Sequence, residues 1–208
     1  ERPFTAEEKN RVTVLFGGLT HRHHLLISAA GRSLGYSVEY LPTPTKNDYN
    51  VGREYADTGM CNPLYFTLGS LINFLRTKQR ENEWDARQVV DRFVYVIAGS
   101  CGPCRFGMYE TQFRIALNRC GYEGFRVLTF EQKKLNQPSP HTGLVFRGGV
   151  FLPLFLAVLI ADLLNELANQ IRPYEVVEGQ TEHVFGRITA EIAQFLEKGL
   201  PRARFGTW

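Results

Sequence analysis

Cys61, Cys101, Cys104 and Cys120 are the four cysteines of this 208-residue chain, and their settings differ. Cys101 and Cys104 flank a Gly-Pro step in GSCGPC. An apolar β-type run, Phe93 to Ala98, precedes them, and a segment of helical periodicity follows, ending near Gly121. A strand that delivers a CxxC to a helix N-terminus sets both sulfurs against unpaired N–H groups and the positive end of the helix dipole. That setting favours thiolate, the form that binds metal or attacks disulfides. Cys61 precedes Asn62-Pro63, a helix start with proline at or near the first helical position, so it occupies a similar place. Cys120 lies at a helix end beside Gly121 and reads as structural.

Three chemistries use such thiols. A CGPC between strand and helix is the thioredoxin-type dithiol. Against it, no Trp precedes Cys101, two βα units lie upstream, and Cys61 is left without a role. Zinc would take Cys61, Cys101 and Cys104 with a fourth ligand from His21, His23 or His24, yet structural zinc sites often use two CxxC-like knuckles and one occurs here. An iron–sulfur cluster can be held by the three cysteines, with one iron open or otherwise bound. Helix N-termini suit its negative charge. Spacing alone stops at a three-cysteine metal or redox site.

The elements that must position these residues alternate between β and α through residue 130. Residues 11–16 read as a buried strand, followed by Gly17-Gly18, a helix from about Thr20 to Leu34, and a strand over 38–41. Residues 43–59 read as a long polar loop serving a site or interface. A helix from Pro63 carries Leu64, Leu68, Leu71, Ile72 and Leu75 at helical spacing, and a charged stretch, 77–92, leads into the third strand. The helix after CGPC puts Phe106, Tyr109, Phe113, Ala116 and Leu117 on one face, and 125–130 is the fourth strand. A loop over 132–149 precedes a long apolar helix to about Ile171, a break at Pro173, and a last helix from about 181 to 199.

This pattern predicts an α/β fold: a Rossmann-like open parallel sheet of about four strands, order 2-1-3-4, with helices on both faces and a helical C-terminal part. It is read as one domain over 1–208, with a lead-in at 1–10, a βα core at 11–130, and helices at 150–199 packing on it. The switch point falls between strands 1 and 3, where α/β proteins place ligands. The GGLTHRHH turn, the CGPC turn and Cys61 would share that end of the sheet.

Around the cysteines, Thr20, His21, His23 and His24 can polarise a carbonyl or bind an anion at a helix start, or form a polar surface. Arg105 can offset cluster charge or stay solvated, Glu110 can relay protons or sit on a helix face, and Tyr109 with Phe106, Tyr65 and Phe66 can shield the site or serve as core. Asp162 and Glu166 share a helix face, which fits exposure or an interface. Net charge is +3 without a dense basic run, so nucleic acid is not expected. Val150–Leu164 is short of the ~18 residues of a membrane span and contains Pro153 and Asp162; a buried helix is expected. The absence of a Walker-type GxxxxGK[ST] and of GxGxxG argues against ATP hydrolysis or dinucleotide binding by this chain. Four cysteines without a visible signal peptide suggest a reducing compartment, the cytoplasm.

TGMCNPLYFTLGSLINFL and GSCGPCRFGMYETQFRIALNRCGYEGFRVLTF, with the later DLLNELANQIRPYEV, resemble the 2-hydroxyacyl-CoA dehydratase superfamily. The likeness is to its acyl-CoA dehydratase activase-related, or double-cubane-cluster, branch, and covers most of residues 10–198. It implies an oxygen-sensitive iron–sulfur cluster, 4Fe-4S or larger, held by Cys61, Cys101 and Cys104. It also implies an ATP-dependent activase as electron donor and reduction of a small substrate or CoA thioester. Larger members carry further cysteines in a later domain, and none follows Cys120 here. The chain therefore reads as part of a larger protein, a homodimer, or one half of a site completed by a partner domain or subunit. A non-catalytic cluster-binding or regulatory domain is the alternative from another class.

Overall fold

The computed structural model describes residues 2–99, 103–130 and 148–198. By internal contacts the chain divides into two compact units, Glu1–Gly18 with Ser37–Val145, and Leu19–Tyr36 with Phe146–Trp208.

The first unit is built on four parallel strands, β1 (Thr13–Phe16), β2 (Ser37–Tyr40), β3 (Phe93–Ala98) and β4 (Arg126–Phe130), in the order β2-β1-β3-β4, with helices around them. This is the order expected from the sequence. Leu15, Tyr95 and Val127 are register partners across β1, β3 and β4 and share one face. Onto that face pack Leu68, Leu71 and Leu75 of α3 (Asn62–Glu81), and Phe113, Ala116 and Leu117 of α5 (Tyr109–Arg119). Tyr95 and Phe113 stack with centroids 5.2 Å apart. Apolar runs buried in a parallel sheet are what made these strands legible.

Three stretches of this unit depart from the sequence expectation. Within 43–59 lies a helix rather than a loop, α2 (Lys46–Tyr55). Its start is fixed by a capping box: the Thr45 hydroxyl accepts from the Asp48 amide, and the Asp48 carboxylate accepts from the Thr45 amide at 2.6 Å. α2 then crosses α3 so closely that a methyl group on Gly52 would overlap the Tyr65 carbonyl, and one on Gly69 the Asp48 carbonyl. Packing overrides a polar sequence of low helix propensity. The charged stretch 77–92 is the end of α3 and a further helix, α4 (Ala86–Arg92), capped reciprocally by Asp85 and Gln88. The first ten residues are no loose lead-in. Phe4 is fully buried, and Glu8, at the end of a 3-10 turn (Ala6–Glu8), forms a buried ion pair with Arg126 of β4.

The second unit holds α1 (His21–Ser33), α6 (Gly148–Ile171) and α7 (Gln180–Glu197). Although α1 links β1 to β2 along the chain, its face Leu26, Ala29 and Ala30 packs with Ala157, Ala161, Leu164 and Ala168 of α6 and with Phe185 and Leu196 of α7. Small residues at this spacing let the helix axes approach. The expectation that Val150–Leu164 is a buried helix fails on one side. Leu152, Phe155, Leu159, Leu163 and Leu167 are 38–58% exposed, because neighbouring helices cover the alanine face and leave the opposite one open. The apolar segment is also longer than the run read from the sequence. Val150–Tyr174 has the length and composition of a membrane span; its most apolar 18-residue window has a mean hydropathy of 2.0, and 17% of that window is buried.

A candidate thiol site on the first unit

β3 and β1 lie at the centre of the sheet, and the chain leaves β3 towards the CGPC sequence. Cys101 lies outside the described residues. Cys104 is exposed and caps a 3-10 turn (Arg105–Met108) rather than the α-helix expected from the sequence; α5 begins only at Tyr109. The i→i+3 bond from the Gly107 amide to the Cys104 carbonyl tightens this turn, and Phe106 packs edge-on to Tyr109 at 4.7 Å. Fewer aligned amides therefore stand behind Cys104 than a full helix would supply.

Cys61 is the N-cap of α3, half-buried, with Pro63 in the first helical turn. The chain reaches it through residues 56–61, a segment held by side chains from three directions. Gln112 accepts from the Asp57 amide at 3.2 Å and donates to the Asp57 carboxylate at 2.9 Å. Arg119 pairs with the same carboxylate at 2.8 Å and donates to the Tyr55 carbonyl at 2.9 Å. The Gln112 hydrogen bond, with Arg119, keeps the Asp57 carboxyl ionised below the usual carboxylate range. The Tyr65 hydroxyl accepts from the Met60 amide at 3.0 Å and donates to the Asp57 carbonyl at 3.2 Å. Arg105, beside Cys104, donates to the Gly59 carbonyl at 2.5 Å.

At the end of this segment the Cys61 sulfur lies 2.9 Å from the Tyr109 hydroxyl. Burial raises the Tyr109 pKa first. Its hydrogen bond to Cys61 and the charge that Cys61 and Cys104 carry when ionised raise it further. Tyr109 thus keeps its proton and can donate it to sulfur. Cys61, at the head of α3, and Cys104, at the head of the 3-10 turn, both act electrostatically on this one hydroxyl. Among the described residues, no three His, Cys, Asp or Glu gather as a metal-binding group.

The other residues singled out from the sequence fall as follows. Cys120 packs against the core and donates to the Leu117 carbonyl at 3.4 Å, and burial pushes its thiol up to about 11. Glu110 is paired with Arg114 one helical turn on, at 2.8 Å. Thr20, His21, His23 and His24 belong to the second unit. There His23 uses both ring nitrogens, Nδ1 with the Thr20 hydroxyl at 2.8 Å and Nε2 with Asp162 at 3.0 Å, leaving none for a ligand. Burial, with His21 and His23 nearby, lowers the His24 pKa to about 4, and its Nε2 accepts from the Leu19 amide at 3.3 Å.

Asp57, Gln112, Arg119 and Tyr65 as a clasp were not foreseen. Gln112 and Arg119 read in sequence like any solvated helix positions, and their partners lie 55 or more residues away. Removing one clasp atom tests its contribution. Tyr65→Phe strips a donor and an acceptor from a side chain that is 7% exposed. The expected loss is about 1–2 kcal/mol, read as a lower urea midpoint at unchanged slope. An unchanged midpoint would show that water replaces the hydroxyl freely.

Compared with models of protein families, with curated proteins and with solved structures, the chain matches none.

Proposed function

We propose that this chain holds an iron–sulfur cluster through Cys61, Cys101 and Cys104. In this reading it serves low-potential electron transfer, or reduction of a small substrate or CoA thioester, in a reducing cytoplasm, with an ATP-dependent activase as electron donor. One observation carries the reading: the Cys61 sulfur, at the head of α3, lies 2.9 Å from the buried Tyr109 hydroxyl, on which the charge of Cys104 also acts. The donor set fits, since thiolate sulfur is the usual ligand of such clusters, and helix N-termini favour their negative charge. The sequence resemblance to the 2-hydroxyacyl-CoA dehydratase superfamily gives the reading its substrate class.

When bound, the cluster would supply single electrons at low potential. The chain's own residues do the rest. Gln112, Arg119, Tyr65 and Arg105 fix the backbone that presents Cys61. Tyr109 donates to its sulfur, and a donor to a ligating sulfur raises a cluster's potential. Phe106 packs edge-on against the Tyr109 ring and helps hold its hydroxyl in place. A dithiol exchanger using Cys101 and Cys104 alone would give Cys61 no such clasp.

The test is iron and acid-labile sulfide per chain after anaerobic purification, for wild type and Cys61→Ser. Both elements are expected in the wild type and lost in the variant. Bound zinc without sulfide would replace the cluster with a zinc site. Neither metal, with a reversible Cys101–Cys104 disulfide indifferent to the substitution, would leave the dithiol exchanger. A cluster resistant to substrate and to an activase would leave the non-catalytic or regulatory role.

A further inference from the structure

α6 carries a second feature, independent of the cysteines. Phe151, Phe155, Leu159, Leu163, Leu167 and Ile171 recur every fourth residue, and all six are exposed, as is Leu152 beside them. Scattered exposed leucines are ordinary, but a continuous ridge of them is not. Each is 38–58% exposed. At about 200 Å² per large side chain, the seven leave on the order of 600 Å² of apolar surface uncovered. Successive members turn by about 40° round α6, so a second copy reaches the ~1,200 Å² at which specific interfaces begin only if residues beside its α6 also cover the ridge.

We propose that this ridge is the interface of a two-fold dimer between copies of this chain, with α6 crossing α6. A ridge of i, i+4 side chains is inclined to its helix axis by about 26°. Two such ridges interlock at roughly −50°, the commonest helix packing in globular proteins. The crossing falls near the middle of the ridge, at Leu159, with the helices antiparallel. Charge sets that sense: exposed Glu166 lies towards the C-terminal end of the same face, and an antiparallel pair sends the two copies of it to opposite sides of the crossing. A parallel pair would bring them together.

A lipid bilayer fits the same face less well. Asp162, at the middle of the apolar segment, is bonded to His23, and Arg22 of α1 is paired with Glu182 of α7. A span would carry these groups into hydrocarbon. A helix lying in the interface plane carries Lys and Arg along its polar face, whereas Gly148–Ile171 has arginines only just beyond its ends, Arg147 and Arg172, and presents Asp162 and Glu166 between them. A second copy needs a largely apolar outer face, and α6 presents one, interrupted by Asp162 and Glu166.

The experiment is sedimentation equilibrium of the full chain, wild type and Leu159→Glu, beside flotation with anionic phospholipid vesicles. The wild type is expected to dimerise at micromolar concentration. Leu159→Glu is expected to raise the dimer Kd by about a hundredfold or more, with helical circular dichroism unchanged because Leu159 touches no core. Leu159→Cys gives a second readout that does not depend on weakening anything: a residue at the crossing meets its own copy, and mild oxidation is expected to link the dimer. A wild type that stays monomeric would overturn the proposal, and so would a dimer indifferent to Leu159→Glu and not cross-linked through residue 159. Flotation of the wild type, abolished by Leu159→Glu, would assign the face to a membrane surface instead.

Discussion

Gly69→Ala is expected to destabilise the first unit by about 3 kcal/mol, the upper end of the usual cost of overpacking. In an exposed helix the same change would gain up to about 1 kcal/mol from helix propensity. Here the new methyl meets the Asp48 carbonyl of α2, a backbone atom that no rotamer change can move. α2 must lift away from α3, and three features move with it: the Thr45 capping box, the 2.7 Å hydrogen bond from Asn73 to the Asp48 carboxylate, and the Tyr49 ring against Phe66. The segment leading to Cys61 starts where α2 ends, so the thiol site loosens as well. Urea unfolding of wild type and variant measures the loss. Gly186→Ala in α7 is the control, since nothing lies within 4 Å of its added methyl. It is expected to hold or raise stability. Equal midpoints for Gly69→Ala and wild type would refute the close crossing of α2 and α3.

That crossing also shows why the sequence could be read only so far. The sheet order was legible because β1, β2 and β3 are short runs that lead into Gly or Pro, and βα alternation leaves few topologies. α2 was missed although its start was written in Thr45-x-x-Asp48, a capping-box spacing with Asp in place of the usual Glu or Gln. Its other support, two glycines on different helices that let backbones touch, has no local signal. The apolar character of α6 was plain, but composition cannot say which faces neighbours will cover. Cys61 was recognisable from its place before the helix-starting Asn62-Pro63, Cys104 from the CGPC sequence, and Tyr109 from the apolar face it shares with Phe113. The clasp from Gln112 and Arg119 to Asp57 was not, because a polar residue bridging to a distant backbone looks like one facing water.

The second large effect comes from the other contact with no local signal, the pair Glu8–Arg126, separated by 118 residues and linked through both carboxylate oxygens at 3.0 and 3.1 Å. Arg126 is 1% exposed in β4, over the buried Phe4 ring. Replacing Glu8 by Gln removes the charge that balances it, and an uncompensated buried charge costs about 3–5 kcal/mol. Replacing both residues by apolar ones of similar size, Glu8→Leu with Arg126→Met, is expected to restore most of that loss, since a buried pair gains little over good packing. The pair also sets an acid limit. Burial alone would raise the Glu8 pKa, but the Thr5 amide and Arg126 outweigh it and hold the native value below the ordinary 4.5. A depressed native pKa contributes stability that is complete above 4.5 and is lost as the pH falls through the native value. Thermal melts at stepped pH should therefore show wild type losing stability on acidification below 4.5, with that part of the slope absent in Glu8→Gln. If both proteins fall in parallel, Glu8 does not carry the acid sensitivity, and the N-terminal segment is held by Phe4 burial rather than by charge.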